Sequence, residues 1–210
     1  VVLFGTGSYF RDQDAGTTQV QSLYGIFDDN GTAVSRGDLL AQEILWEGDE
    51  TFNGQVFTLR EVSDTAVTSE DGWVLDLVVP NQSLTGERVI SKPVLLTGVV
   101  RDRIRFTTMI PNADPCATDG GRDGFVMDLM IGSGGAAAYP VFDLNDDGSF
   151  DAADMKNGRN FSGVDFGGGE QLIVIQTGDG KAKLYTGQGE DMGALEPGTP
   201  SGRQSWRQLR

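Results

Sequence analysis

The chain's capacity for chemistry concentrates in FDLNDDGSFDAADM, residues 142–155. Five aspartates and one asparagine fall between Asp143 and Asp154. Two carboxylates 4 Å apart repel by about 1 kcal/mol in water and about 4 kcal/mol near a protein surface. Such a segment is either a solvated acidic turn or the cradle of a cation. Counted from Asp143, oxygen-bearing side chains stand at positions 1, 3, 5, 9 and 12: Asp143, Asn145, Asp147, Asp151 and Asp154. Ser149, at position 7, offers a backbone carbonyl, and Gly148 stands at position 6, where an EF-hand-type loop turns sharply. An all-oxygen set suits a hard cation, and calcium is expected over magnesium, which prefers small octahedral sites that keep several waters.

The same spacing leaves Asp146 pointing outward and Phe150 to pin the loop to the body. Two features depart from an ordinary EF-hand. Pro140, in GGAAAYPVF, argues against a helix leading into the loop. Position 12 holds an aspartate instead of the longer glutamate, which leaves open whether Asp154 binds directly, through water or not at all.

Composition narrows the remaining classes. Sixteen Lys and Arg against 31 Asp and Glu give a net charge of −15 and a pI of about 4.2. Nucleic acid is a poor partner for such a surface, since its binding depends on basic groups that neutralise phosphates. No histidine is present, which removes the histidine-based nucleophile triads and histidine-ligated zinc. Cys116 is the chain's one cysteine, and the sequence leaves its pairing open. No run of 18 apolar residues could span a bilayer. The opening VVLFGTGSYF reads as an interior strand, so further chain is expected upstream.

These residues need elements to position them, and the elements read as strands. Apolar runs punctuated by turn residues recur: VVLFGTG, LYGIFDDNGTAV, NGQVFTLREV, GWVLDLVV, KPVLLTGVV with RIRFTTMI, GFVMDLMI, EQLIVIQTGDGKAKLYTG and SWRQL. Asn30-Gly31 predicts a tight hairpin, and Gly178-Asp179-Gly180 another. A short helix is expected from about Ala152. About ten short strands without a sustained helical period predict an all-β fold: sandwich, barrel or propeller.

Several blocks together resemble one family. VVLFGTGSYF…QVQSLYGIFD, GERVISKPVLL, RFTTMIPNADPC, VFDLNDDGSFD and GRQSWRQL occur in the order found in the C-terminal domain of the PilY/PilC family, large type IV pilus-associated proteins of Gram-negative bacteria. The resemblance implies a modified β-propeller of which residues 1–210 form the C-terminal blades, with one EF-hand-like calcium loop at 143–154. It implies Asp143, Asn145, Asp147, Ser149 and Asp151 as ligands, with Asp154 a weaker match. The implied role is non-catalytic: pilus biogenesis, control of extension and retraction, surface attachment and twitching motility. The implied place is the pilus tip or outer-membrane surface, and the implied partners are minor pilins and host or abiotic surfaces.

Other features have plainer readings. Arg36-Gly37-Asp38 is an integrin-type tripeptide, yet it sits in a strand-like run, and integrin binding through it is not expected. Gly132–Gly135 and Gly167–Gly169 lack phosphate-loop spacing and read as turns. Trp46, Trp73 and Trp206 are expected to pack between sheets. The alternative functions are a quinoprotein-like propeller enzyme, for which one cysteine is a poor start, and a carbohydrate-active β-domain using two carboxylates. A dockerin-like module would repeat its loop, and this chain has one copy.

Overall fold

A computed structural model describes residues 1–28, 31, 33–96, 103–111 and 122–165, with the backbone of three later strands. In chain order the strands are β1 (Val2–Gly5), β2 (Ser22–Ile26), β3 (Leu40–Gln42), β4 (Ile44–Phe52), β5 (Gln55–Val62), β6 (Gly72–Asp76), β7 (Val94–Leu96), β8 (Arg103–Thr107), β9 (Ile110–Pro111), β10 (Arg122–Asp123), β11 (Phe125–Met130), β12 (Gly163–Asp165), β13 (Ile173–Gln176), β14 (Ala182–Tyr185) and β15 (Asp191–Leu195). Helical geometry among the described residues is confined to short 3-10 turns at Asp12–Gly16, Arg36–Asp38 and Ala152–Asp154. The expected helix after the aspartate cluster is the last of these, a single turn. The expected all-β architecture holds.

One sheet has four strands in the order β1-β2-β6-β3, the number found in a propeller blade. The other has six, in the order β4-β5-β12-β11-β8-β7, and every pairing in it is antiparallel. β9 and β10 form a small ribbon, and β13, β14 and β15 a separate antiparallel sheet.

Alternation along the six-stranded sheet sends its residues to two faces. Phe106, Met127 and Arg60 are linked through the register on one face; Arg105, Asp128, Val126 and Val164 share the other. The first face packs on the four-stranded sheet, where Leu23, Trp73 and Leu75 meet Ile104, Phe106 and Met127. The second lies under the segment 137–161, through Ala137, Val141, Phe142, Leu144 and Phe161. Both faces are therefore covered, and the candidate loop belongs to the cover of the second.

Trp73 is fully buried and donates its indole N–H to the Ile131 carbonyl at 2.8 Å, a core tryptophan as expected. Trp46 is half-buried between the Phe161 ring and Arg159. Trp206, SWRQL, Cys116, Gly167–Gly169 and the Gly178–Gly180 turn lie outside the described residues, and Gly132–Gly135 forms the expected turn.

Two local expectations are corrected. The turn residue Asn30 lies outside the described residues, but the strand expected after it is not formed: residues 33–35 are not strand, Arg36–Asp38 is a 3-10 turn, and the next strand, β3, pairs parallel with β6. β2 instead finds antiparallel partners on both sides, β1 and β6. Arg36 is paired with Asp76, forty residues on. The second correction concerns Phe150, which is only half-buried; Phe142 and Leu144 attach the loop to the core.

The GERV block, Gly86 to Val89, shows why such a run is needed. Gly86 has φ +73, and a Cβ there would overlap the Thr17 carbonyl oxygen. Glu87 holds Arg60 through two hydrogen bonds. Arg88 is buried, and its guanidinium donates to the carbonyls of Gly86, Ser8 and Thr17 at 2.7–2.8 Å. Val89 lies against Gly5 in β1, where a Cβ would collide with it. Four neighbouring residues thus tie β1 and the following loop to the core beneath.

Candidate metal centre

The loop winds on itself through bonds that are local in sequence. Asp143 accepts from the amides of Asp147, at 3.2 Å, and Gly148, at 2.9 Å. The Asn145 side-chain oxygen accepts from the Asp147 amide at 3.1 Å. Asp147 accepts from the Ser149 amide at 2.7 Å, and Asp151 from Ala153 at 2.8 Å. Aspartate and asparagine favour such side-chain-to-backbone turns. Two residues adopt the left-handed region, Asp146 at φ +56 and Gly148 at φ +79. Asparagine and aspartate tolerate that conformation and glycine is indifferent to it, so the sequence places permissive residues at both bends. Asp146 is exposed.

Asp154 is set differently. It is 1 % exposed, and its carboxylate closes the loop from behind. One oxygen accepts from Leu144, at 2.8 Å, and Asn145, at 3.3 Å; the other accepts from Asp151 at 3.1 Å. Burial pushes its pKa up, against the lowering effect of those amides. Position 12 therefore joins the start of the loop to its end.

No group of three or more acidic side chains converges at metal-binding distance among the described residues. The carboxylates are turned to the loop's own amides. A carboxylate has about four lone-pair sites, so one or two such bonds do not exhaust it. Three carboxylates, one amide oxygen and one backbone carbonyl stand at alternate positions of a loop bent at its fourth and sixth residues. That donor set fits a hard, oxygen-seeking cation such as calcium.

The loop is gripped from two sides. Arg105, on β8, donates twice to Asp128, at 2.9 and 2.7 Å, and once to the Val141 carbonyl at 3.2 Å. Its guanidinium also lies 5.1 Å from the Phe142 ring centre, beside the loop's first residue. On the other side stands the β4–β5 hairpin, whose Asn53 donates its side-chain amide to the Asn145 carbonyl.

The integrin-type tripeptide is engaged within the chain. Arg36 binds both Asp76 oxygens, at 2.7 and 2.6 Å, and lies over the Tyr24 ring. Asp38 accepts from the Ser35 amide and hydroxyl, at 2.9 and 2.7 Å. On the six-stranded sheet, Glu47 and Glu87 both pair with Arg60, and Glu47 also accepts from the Gln82 amide. The cavity beside them holds about 30 Å³, room for a water or two.

Comparison with known proteins places the fold. The solved C-terminal domain of Pseudomonas aeruginosa PilY1 superposes with a TM-score of 0.78 at 27% identity, over 93% of this chain and 41% of that one. The type IV pilus biogenesis factor PilY1 of P. aeruginosa is 32% identical over 232 aligned residues, which take in all of this chain. The chain is a homologue of the PilY1 C-terminal domain. A PilY1 homologue of Xylella fastidiosa is 35% identical over 164 residues, covering 78% of the chain. The chain spans only 19% of the length of the Pseudomonas PilY1 and 12% of this Xylella homologue. No protein-family model matches it. Among the described residues no helix is long and apolar enough to cross a membrane.

Proposed function

We propose that this PilY1-type chain is a non-catalytic, calcium-binding module of type IV pilus biogenesis. The homology to PilY1 along the whole chain supports the pilus role. One observation supports the calcium role above others: a twelve-residue loop, bent at Asp146 and Gly148, with oxygen donors at every odd position from Asp143 to Asp151. Asp143, Asn145, Asp147 and Asp151 would hold the ion through side chains, and Ser149 through its carbonyl. Asp154 would keep the loop closed behind them.

Calcium supplies a positive charge that removes the repulsion among the carboxylates. This chain's residues do the rest. In the loop the acidic side chains accept from their own amides, and a bound cation would draw the same oxygens toward itself and so tighten the loop. Assembly, extension and retraction, surface attachment and twitching motility are the processes such tightening would control, at the pilus tip or outer-membrane surface. Minor pilins and host or abiotic surfaces are the proposed contacts, and residues 1–210 are proposed as the C-terminal blades of a larger propeller.

The test is genetic. The full-length protein carrying Asp147→Ala and Asp151→Ala, expressed at normal level in its own bacterium, should lose surface piliation and twitching down to the level of a null strain. Normal piliation and motility in that strain would overturn the proposal.

A further inference from the structure

Asn53 lies at the tip of the β4–β5 hairpin, in a two-residue turn with φ +47, followed by Gly54 with φ +84. It is exposed, so its side chain has no burial to satisfy. Even so, the side-chain amide reaches across 92 positions of sequence to donate to the Asn145 carbonyl. That carbonyl belongs to the peptide unit between Asn145, a proposed ligand, and Asp146, where the chain enters the left-handed region. Fixing the carbonyl's direction fixes the plane on which that bend depends.

The hairpin meets the loop's exit as well. Lys156 donates its ammonium to the Thr51 carbonyl at 3.1 Å and stands 5.2 Å from the Phe52 ring centre. Arg159 lies 3.8 Å from Glu50, 3.4 Å from Glu61 and 4.6 Å over the Trp46 ring. Phe52 itself packs in the cluster that contains Phe142 and Leu144. One hairpin therefore touches the loop at its third residue, through its core anchor, and just past its end.

We infer that Asn53 is a positioning residue for the cation, and that through it the β4–β5 hairpin is coupled to occupancy of the loop. This rests on the calcium reading above. Coupling is reciprocal: the fold-change in affinity that Asn53 contributes is the fold-change in hairpin order that the ion contributes. A single net hydrogen bond supplies roughly a three- to tenfold effect.

The experiment uses the whole chain with calcium chloride as probe. Asn53→Gly keeps the positive backbone angle without strain and deletes the donor. Asn53→Asp keeps the turn and sets a carboxylate against the carbonyl. Calorimetry should show Kd weakened roughly three- to tenfold by Asn53→Gly, and further by Asn53→Asp. Calcium should raise the thermal midpoint of Asn53→Gly less than it raises that of the wild type. Calcium should slow amide exchange at 50–57 in the wild type and lose that effect in Asn53→Gly. Unchanged affinity in Asn53→Gly would overturn the inference, as would calcium protection confined to 143–154 in the wild type. Absence of calcium binding by the folded wild type would overturn both readings; binding indifferent to Asn53 overturns only this one.

Discussion

Asp128→Ala is expected to destabilise the chain by about 3–5 kcal/mol, the range for removing one partner of a buried ion pair. Asp128 is fully buried on β11, directly opposite Arg105 on β8. Arg103, on the same face, has its Nε 3.6 Å from the other Asp128 oxygen. Both guanidiniums are almost completely buried, so alanine leaves two like charges under the 137–161 cover without the carboxylate between them. Asp128→Asn should cost less, because it keeps the acceptor and the shape while losing the charge. Arg105 also donates to the Val141 carbonyl, so the substitution should loosen the approach to Asp143 and weaken calcium binding. Denaturant unfolding with a calcium titration checks both effects. A loss below about 1 kcal/mol, the range of an exposed pair, would contradict the account.

Glu87→Ala should be nearly as costly, at about 3–5 kcal/mol. Arg60 is 1 % exposed and its guanidinium carbon lies 3.4 Å from the Phe125 ring centre. Burial alone would lower its pKa; the charges and hydrogen bonds of Glu87 and Glu47 outweigh that and raise it. Without Glu87 only Glu47 remains, and Glu47 is more exposed. Replacing both partners, as Arg60→Met with Glu87→Leu, should recover part of the loss: no fully buried charge is left, and Glu47, the more exposed acid, keeps the Gln82 amide and access to water. Chemical denaturation of the two variants reads this directly. A double variant as unstable as Glu87→Ala would mean that packing, and not the uncompensated charge, carries the cost.

The sequence reveals the aspartate loop and the buried charges unequally, for a physical reason. The aspartate loop is legible because its bonds are local: Asp143 reaches no further than Gly148, and Asp147 only to Ser149. Strands with apolar runs, such as β5, β6, β8 and β11, are legible for the same reason. β4 is not, because Glu47, Asp49 and Glu50 dilute its apolar pattern, although Asn53-Gly54 at its end is a hairpin signal. The parallel pairing of β3 with β6 depends on residues more than thirty positions apart, and no local pattern specifies it. The buried charges are hidden most thoroughly. Arg105 and Asp128 alternate with apolar neighbours, which reads as a solvent face; only the fold reveals that a second layer covers it. Asn53 escaped for a similar reason, since its partner lies 92 residues on.

Calorimetric titration of the purified chain with calcium, beside Asp147→Ala and Asp151→Ala, tests the central claim most directly. One saturable site is predicted, weaker than the tightest EF-hand class because position 12 lacks the bidentate glutamate, and both substitutions should abolish it. A folded wild-type chain that gives no binding heat, or binds equally well with either aspartate removed, would contradict it.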